Sequence, residues 1–127
     1  MKLDNKSISI YIAGPMTGIE DFNIPKFNKV AELLRKIPNY TVINPANVTP
    51  QTNLSFEQYM AIDLPLVCIC DVIVMLDGWE KSKGANRELM VAMSMGKYIA
   101  EIHKMNDESI LLRRMITPKP KDILFEI

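Results

Sequence analysis

Glu88 is the residue of this chain best placed to do chemistry. It closes the stretch Gly78-Trp79-Glu80-Lys81-Ser82-Lys83-Gly84-Ala85-Asn86-Arg87-Glu88, which follows the apolar run Val72-Ile73-Val74-Met75-Leu76 and leads into Leu89-Met90-Val91-Ala92-Met93. The run, rich in β-branched residues, predicts a buried strand, and the segment after the loop predicts a helix. A strand, a short polar loop with a glycine and then a helix is where α/β proteins bind phosphates and sugars. Unpaired N–H groups at the new helix start point toward the ligand. This reading puts Glu88 in or just after the first helical turn, where the helix dipole favours its ionised form. Such a carboxylate could act as nucleophile or base. The competing reading is a glutamate that only decorates a helix start.

Other side chains converge on the same region. Ser7-Ile8-Ser9-Ile10-Tyr11-Ile12-Ala13 reads as a second strand, apolar and β-branched, running into Gly14-Pro15-Met16-Thr17-Gly18. Tyr11 lies near its carboxyl end, so its hydroxyl could reach the crevice of Glu88. The two glycines let backbone approach a ligand. Asp63 sits among Ile62 and Leu64 to Val67, and a carboxylate with such flanks needs a reason to be there. Asp77 lies at the correct end of its strand to bind a sugar or a base. Trp79 could stack on a base or pack on its own loop. Asp71 opens a strand at the opposite end of the sheet and reads as a turn residue, and His103 reads as a surface residue.

The elements that would position these groups alternate. Pro25 suits a first helical turn, and Phe27, Val30, Ala31, Leu33, Leu34 and Ile37 form a helical apolar stripe closed by Pro38-Asn39. Tyr40 to Ile43 predicts a short strand, and Ala46 to Asn53 a polar loop. Ser55 with Gln58 is a capping-box pattern for a helix from Phe56 to about Cys68, in which Pro65 predicts a kink or an early end. After the strand Val72–Leu76 and the helix to Met95, Gly96 predicts a C-cap and Lys97 to Ile102 a strand. Asp107 reads as the cap of a last helix, Glu108 to Met115. Pro118-Lys119-Pro120 then separates the apolar segment Ile123-Leu124-Phe125. Alternating strands and helices predict an α/β fold with a parallel sheet covered on both faces. Ligands would bind at the carboxyl ends of the strands ending at Ala13 and Leu76.

Composition narrows the functional classes. The 127 residues suit one domain, 1–127. With 15 basic and 15 acidic residues the net charge is zero, which gives no electrostatic case for binding a nucleic acid polymer or an anionic membrane. No apolar stretch is long enough to span a bilayer, and the polar start Met1 to Lys6 has no apolar signal region. Cys68 and Cys70 offer neither a disulfide framework nor, without a second pair or a nearby histidine, a zinc site. They read as buried small residues of a cytoplasmic protein, and neither metal nor other cofactor is expected. Met90, Met93, Met95, Met105 and Met115 read as core or interface filler.

Five blocks together resemble a known family: Tyr11 to Gly18, Phe27-Asn28 with Asn44-Pro45-Ala46, Met60 with Asp63, Cys70-Asp71, and Gly78-Trp79-Glu80-x-Ser82-x-Gly84-Ala85-x-x-Glu88. In this order and spacing, from Ser7 to Ile102, they are similar to the small nucleoside 2-deoxyribosyltransferase-like proteins, and most of all to a phage and bacterial branch of them. The resemblance implies a flavodoxin-like three-layer sandwich with a mostly parallel sheet of five strands. It implies that a glutamate, here Glu88, attacks the anomeric carbon of a 2-deoxyribonucleoside and displaces the base. Tyr11 matches the tyrosine that orients this carboxylate, and Asp63 the aspartate that protonates the base or holds the sugar. Gly14, Met16 and Thr17, with Asp77, Trp79, Ser82 and Gly84, would contact substrate.

Ser82 and Gly84 separate the subfamilies. Relatives that hydrolyse deoxynucleoside 5′-monophosphates carry serine and glycine at these positions, both on the phosphate, whereas transferases of free nucleosides carry an acid in place of the serine. Lys81 and Lys83 add positive charge. Thr17 departs from the pattern, because the monophosphate hydrolases have an arginine there. The expected activity is cleavage or transfer at the N-glycosidic bond of a (deoxy)nucleoside or its monophosphate. The alternative is a nucleotide-binding module with little or no catalysis. The resemblance also implies a homodimer or homotetramer in which a neighbouring subunit completes the crevice. Contacts are expected through the last two helices, from where Asn106 or Ser109 could reach a neighbour's substrate, although the family pattern assigns neither.

Overall fold

In a computed structural model, residues 7–49 and 53–115 are described. Strand β1 (Ile8–Ala13) leads through a single-turn 3-10 segment, Glu20–Asn23, into helix α1 (Ile24–Arg35) and strand β2 (Tyr40–Ile43). Helices α2 (Pro45–Val48) and α3 (Phe56–Ile69) precede strand β3 (Val72–Met75). A 3-10 turn, Trp79–Lys81, then leads to helix α4 (Lys83–Ser94) and strands β4 (Tyr98–Met105) and β5 (Ile110–Arg114). The sheet order is β2-β1-β3-β4-β5, parallel throughout except that β5 runs antiparallel to β4. The expected α/β architecture is therefore the one observed.

Alternation along buried strands divides the core into two layers. Ile10, Ile12, Val74, Leu76 and Ala100 face α1, where they meet Phe27, Val30, Ala31 and Leu34. Tyr11, Ala13, Ile73, Met75 and Ile99 face α3 and α4, meeting Val67, Ala85, Leu89 and Ala92. After β2 the chain crosses back over β1 to lay down β3, so the loops leaving β1 and β3 diverge and open a crevice between them. At the opposite end Asp71 ties the two strands together, its Oδ2 accepting from the Ser9 N–H and hydroxyl at 3.0 Å each.

Three local expectations are corrected. Glu108–Met115 is not a helix. β4 runs on to Met105, and the chain turns back as β5. The turn is held by Asn106, whose Oδ1 accepts from the N–H groups of Glu108 (2.8 Å) and Ser109 (2.9 Å). Asn, Asp and Ser cap turns as well as helices, and pairing with the open edge of β4 decides the outcome. The segment expected to form a helical subunit contact is thus a hairpin. Pro65 neither ends nor breaks α3, which runs to Ile69. Pro65 and Ala61 are both on the exposed face, so the carbonyl deprived of its partner is open to water. The loop after Asn44 contains the short helix α2, started by the Asn44 side chain accepting from the Ala46 N–H at 3.0 Å. Helix α4 begins at Lys83, so Glu88 stands just after its first turn, within the expected range.

The capping box of α3 forms as the sequence predicts, with Ser55 and Gln58 bonded reciprocally at 3.1 and 2.8 Å. Gly96, at φ +72°, follows the last turn of α4. Met1 to Lys6 and the stretch from Pro118 to Phe125 lie outside the described residues. Among those described, no helix is long and apolar enough to cross a membrane.

Candidate active site

The crevice has a volume of about 840 Å³ and is walled by the loops after β1 and β3, by α3 and by the start of α4. Glycines line its walls at two close approaches. A Cβ on Gly14 would lie 2.8 Å from Leu76 Cβ, so only glycine lets the β1 loop pass this close to the end of β3. A Cβ on Gly84 would lie 3.3 Å from Met60 Cε, a close contact that the flexible methionine could relieve by a small shift.

At the centre stand Glu88 and Asp63, both buried and both lining the crevice. The Tyr11 hydroxyl, fully buried beneath them, donates to Glu88 Oε2 at 2.5 Å. The Thr49 hydroxyl donates to Asp63 Oδ1. Sequence elements separated by most of the chain thus supply one cluster: β1 gives Tyr11, the end of α2 gives Thr49, and α3 and α4 give the carboxylates.

The electrostatics overturn one expectation. The helix dipole acts mainly within the first turn, and Glu88 is beyond it. Burial instead dominates, pushing the Glu88 carboxyl up to about 8. The Tyr11 hydrogen bond opposes this rise, and the nearby Asp63 carboxylate adds to it. Asp63 is likewise raised by burial, against which the Thr49 hydroxyl acts. Tyr11 is held well above its ordinary value, first by burial and then by the charge of Glu88. The expectation of a dipole-ionised glutamate gives way to a carboxyl that mostly holds its proton at neutral pH.

The rim is built from the α4 start. Ser82 caps the helix, its Oγ accepting from the Ala85 N–H at 3.1 Å. The buried Asn86 amide holds the preceding turn by donating to the carbonyls of Trp79, Glu80 and Ser82 at 3.2, 3.2 and 2.8 Å. Ser82, Lys83 and Gly84 line the crevice together with Lys81 and, from α1, Lys26. Gly14, Met16, Thr17 and Asp77 also line it. Trp79 does not. It is 7% exposed and packs against Tyr11, Ala85 and Leu89 in the α3–α4 layer, so its ring belongs to the core.

Thr49, Phe56, Lys26, Phe22 and Asn86 escaped the sequence reading. A single Thr, Phe or Lys at or near the end of an element carries no periodic signal. Only Asn86, a polar residue inside an apolar helical face, offered a local clue. The remaining polar candidates behave as read, with one exception. His103 is exposed on β4, with Nδ1 3.0 Å from Arg113 Nη1. Cys70 is buried as read, its thiol pushed up to about 11 mainly by that burial, whereas Cys68 is only half-buried.

The fold has a solved counterpart. The structure of a 2-desoxiribosyltransferase from Leishmania mexicana is similar to this chain with a TM-score of 0.59 and 20% identity, covering 82% of this chain and 78% of that one. At this identity the likeness establishes the α/β fold. No curated protein sequence matches the chain. A family model described as "Domain of unknown function (DUF4406)" matches residues 8–101, a span that holds Tyr11, Thr49, Asp63, the Ser82–Gly84 rim and Glu88, and the chain belongs to that family.

Proposed function

We propose that this protein cleaves or transfers at the N-glycosidic bond of a deoxynucleoside or, preferentially, its 5′-monophosphate, with Glu88 as the nucleophile. The observation that carries the reading is the buried Tyr11–Glu88 hydrogen bond beside Asp63 at the floor of an open crevice. A structural ion pair would place a cation against these carboxylates. Here, among the described residues, no cation is among the groups that shift these carboxyls, and two raised carboxyls face the same space, as acid–base chemistry requires.

In the first step a Glu88 carboxylate oxygen attacks the anomeric carbon and the carbon–nitrogen bond breaks. The electron pair leaves with the base, which takes a proton from Asp63. In the second step water attacks the anomeric carbon and gives its proton to Asp63, and the bond to Glu88 breaks to release the sugar. An acceptor base in place of the water gives transfer instead. Tyr11 fixes the attacking carboxylate and favours its ionised form. Thr49 fixes Asp63.

The 5′-phosphate would bind at the α4 start. The N–H groups of Lys83 and Gly84 belong to the open first turn, the Ser82 hydroxyl adds a donor, and Lys26, Lys81 and Lys83 supply charge. Thr17 would contribute one hydroxyl in place of a bidentate arginine. A binding module without catalysis needs the loops and the rim but has no use for a desolvated Glu88 pinned by Tyr11.

Incubation with a panel of nucleosides and nucleotides, with chromatography for free base, tests the activity. Release from one or more deoxynucleotides is expected, and no release from any compound, despite binding, would leave the binding module. Calorimetry should show a monophosphate binding more tightly than its nucleoside. Equal or weaker binding would remove the phosphate role.

A further inference from the structure

Three consecutive residues, Asp21, Phe22 and Asn23, hold φ values of 53°, 54° and 62°. This is left-handed backbone, which a bulky aromatic residue adopts only where its surroundings enforce it. Here the Asn23 side-chain amide donates to the Pro15 carbonyl at 3.0 Å. The N–H groups of Ile19 and Phe22 donate to the carbonyls of Met16 and Ile19 at 3.1 and 2.9 Å. The turn so fixed sets Ile19 and Phe22 in the crevice wall, 43% and 39% exposed.

Among the described residues lining the crevice, the other aromatic rings are less available. Phe27 is in the core at 1% exposure, Tyr59 is half-buried, and Phe56 has Lys83 Nζ 4.4 Å from its centroid. Trp79 is buried elsewhere. Phe22 is the aromatic ring that offers itself to a ligand. It leads into α1 on one face of the sheet, whereas Ser82 and Gly84 open α4 on the other. The apolar wall and the anion-binding rim therefore flank the carboxylates from different sides. A ligand that matches both has a flat apolar end and an anionic end.

Resting on the nucleotide reading, we propose that Phe22, with Ile19 beside it, is the stacking wall for the leaving base. The substrate's base is then a planar heteroaromatic ring held by its face. The strained turn keeps the ring in place before the ligand arrives, which lowers the ordering required on binding.

Calorimetry on the full chain, with deoxyadenosine 5′-monophosphate and 2-deoxyribose 5-phosphate as probes, tests this in a Glu88→Gln background that prevents turnover. Phe22→Ala should weaken nucleotide binding about tenfold, within the range of a lost base–aromatic stack, and leave the sugar phosphate unchanged. Phe22→Tyr should keep nucleotide binding near that of the parent. Unchanged nucleotide binding in Phe22→Ala would overturn the proposal, as would equal weakening of both probes, which marks a loop that has lost its shape. If the parent binds the sugar phosphate but gains nothing from the base, the stacking wall falls while the phosphate site stands. If it binds neither probe, the nucleotide reading falls and takes the wall with it.

Discussion

At the scale of the residue, proton affinity decides what the crevice can do. A glutamate held near 8 is about one-tenth ionised at neutral pH, so the proposed nucleophile becomes more available as pH rises. The rate at limiting substrate should therefore climb along an acid limb near that value. Tyr11 lowers the affinity by donating to the charged form, so Tyr11→Phe removes a stabiliser of the carboxylate. The acid limb in Tyr11→Phe should move to higher pH, with the rate at pH 7 reduced roughly 10- to 100-fold, in the range of a lost hydrogen bond to a charged group. A pH–rate profile that keeps the wild-type limb would show that Tyr11 does not tune Glu88. Glu88, Tyr11 and Asp63 could be named from residue types, because each stood where a predicted element ended or where an apolar run was interrupted. Their proton affinities could not be. Desolvation depends on the layers packed above them, and α3 and α4 come from distant parts of the chain.

At the scale of the element, close approaches between backbones carry the geometry. Gly14 passes Leu76 so tightly that an added methyl meets Cβ, which cannot swing aside as a long side chain could. Gly14→Ala should therefore cost about 1–3 kcal/mol of stability by overpacking and distort the wall that holds Met16 and Thr17. Chemical denaturation with an unchanged midpoint would contradict this tight contact. Strands β1 to β3 and helices α1, α3 and α4 were legible because hydrophobic period and caps agreed, as with Ser55 and Gln58. The hairpin β4–β5 was not. Asn106 to Ser109 carries signals common to a turn and a helix start, and the open edge of β4, which selects the strand, is a tertiary fact. Trp79 misled for a related reason, since a tryptophan after a strand can face ligand or core. Here the packing of Tyr11, Ala85 and Leu89 claims it.

At the scale of the whole molecule, the site should weaken the fold as pH rises. The ordinary value for glutamate is 4.5, and in the folded protein Glu88 is raised to about 8. The folded chain thus holds this proton more tightly than the unfolded one. The stability Glu88 contributes is full below about pH 4.5 and is lost as pH rises through about 8. Glu88→Gln keeps the shape and the Tyr11 contact but cannot ionise. Thermal unfolding should show the variant gaining several degrees in Tm over wild type between pH 5 and pH 9. A difference that stays constant with pH would mean that the carboxylate is better solvated than its burial implies.

The proposed chemistry rests on Glu88 itself forming the bond to the sugar. Base release by Glu88→Ala, measured by chromatography beside wild type on the substrate that wild type cleaves best, tests this most directly. Circular dichroism should confirm an intact fold, because the side chain lies at the crevice floor rather than within an apolar layer. The expected result is release at or near the uncatalysed background, at least 1000-fold below wild type, as when a covalent nucleophile is lost. A folded Glu88→Ala variant that keeps most of the wild-type rate would contradict the mechanism.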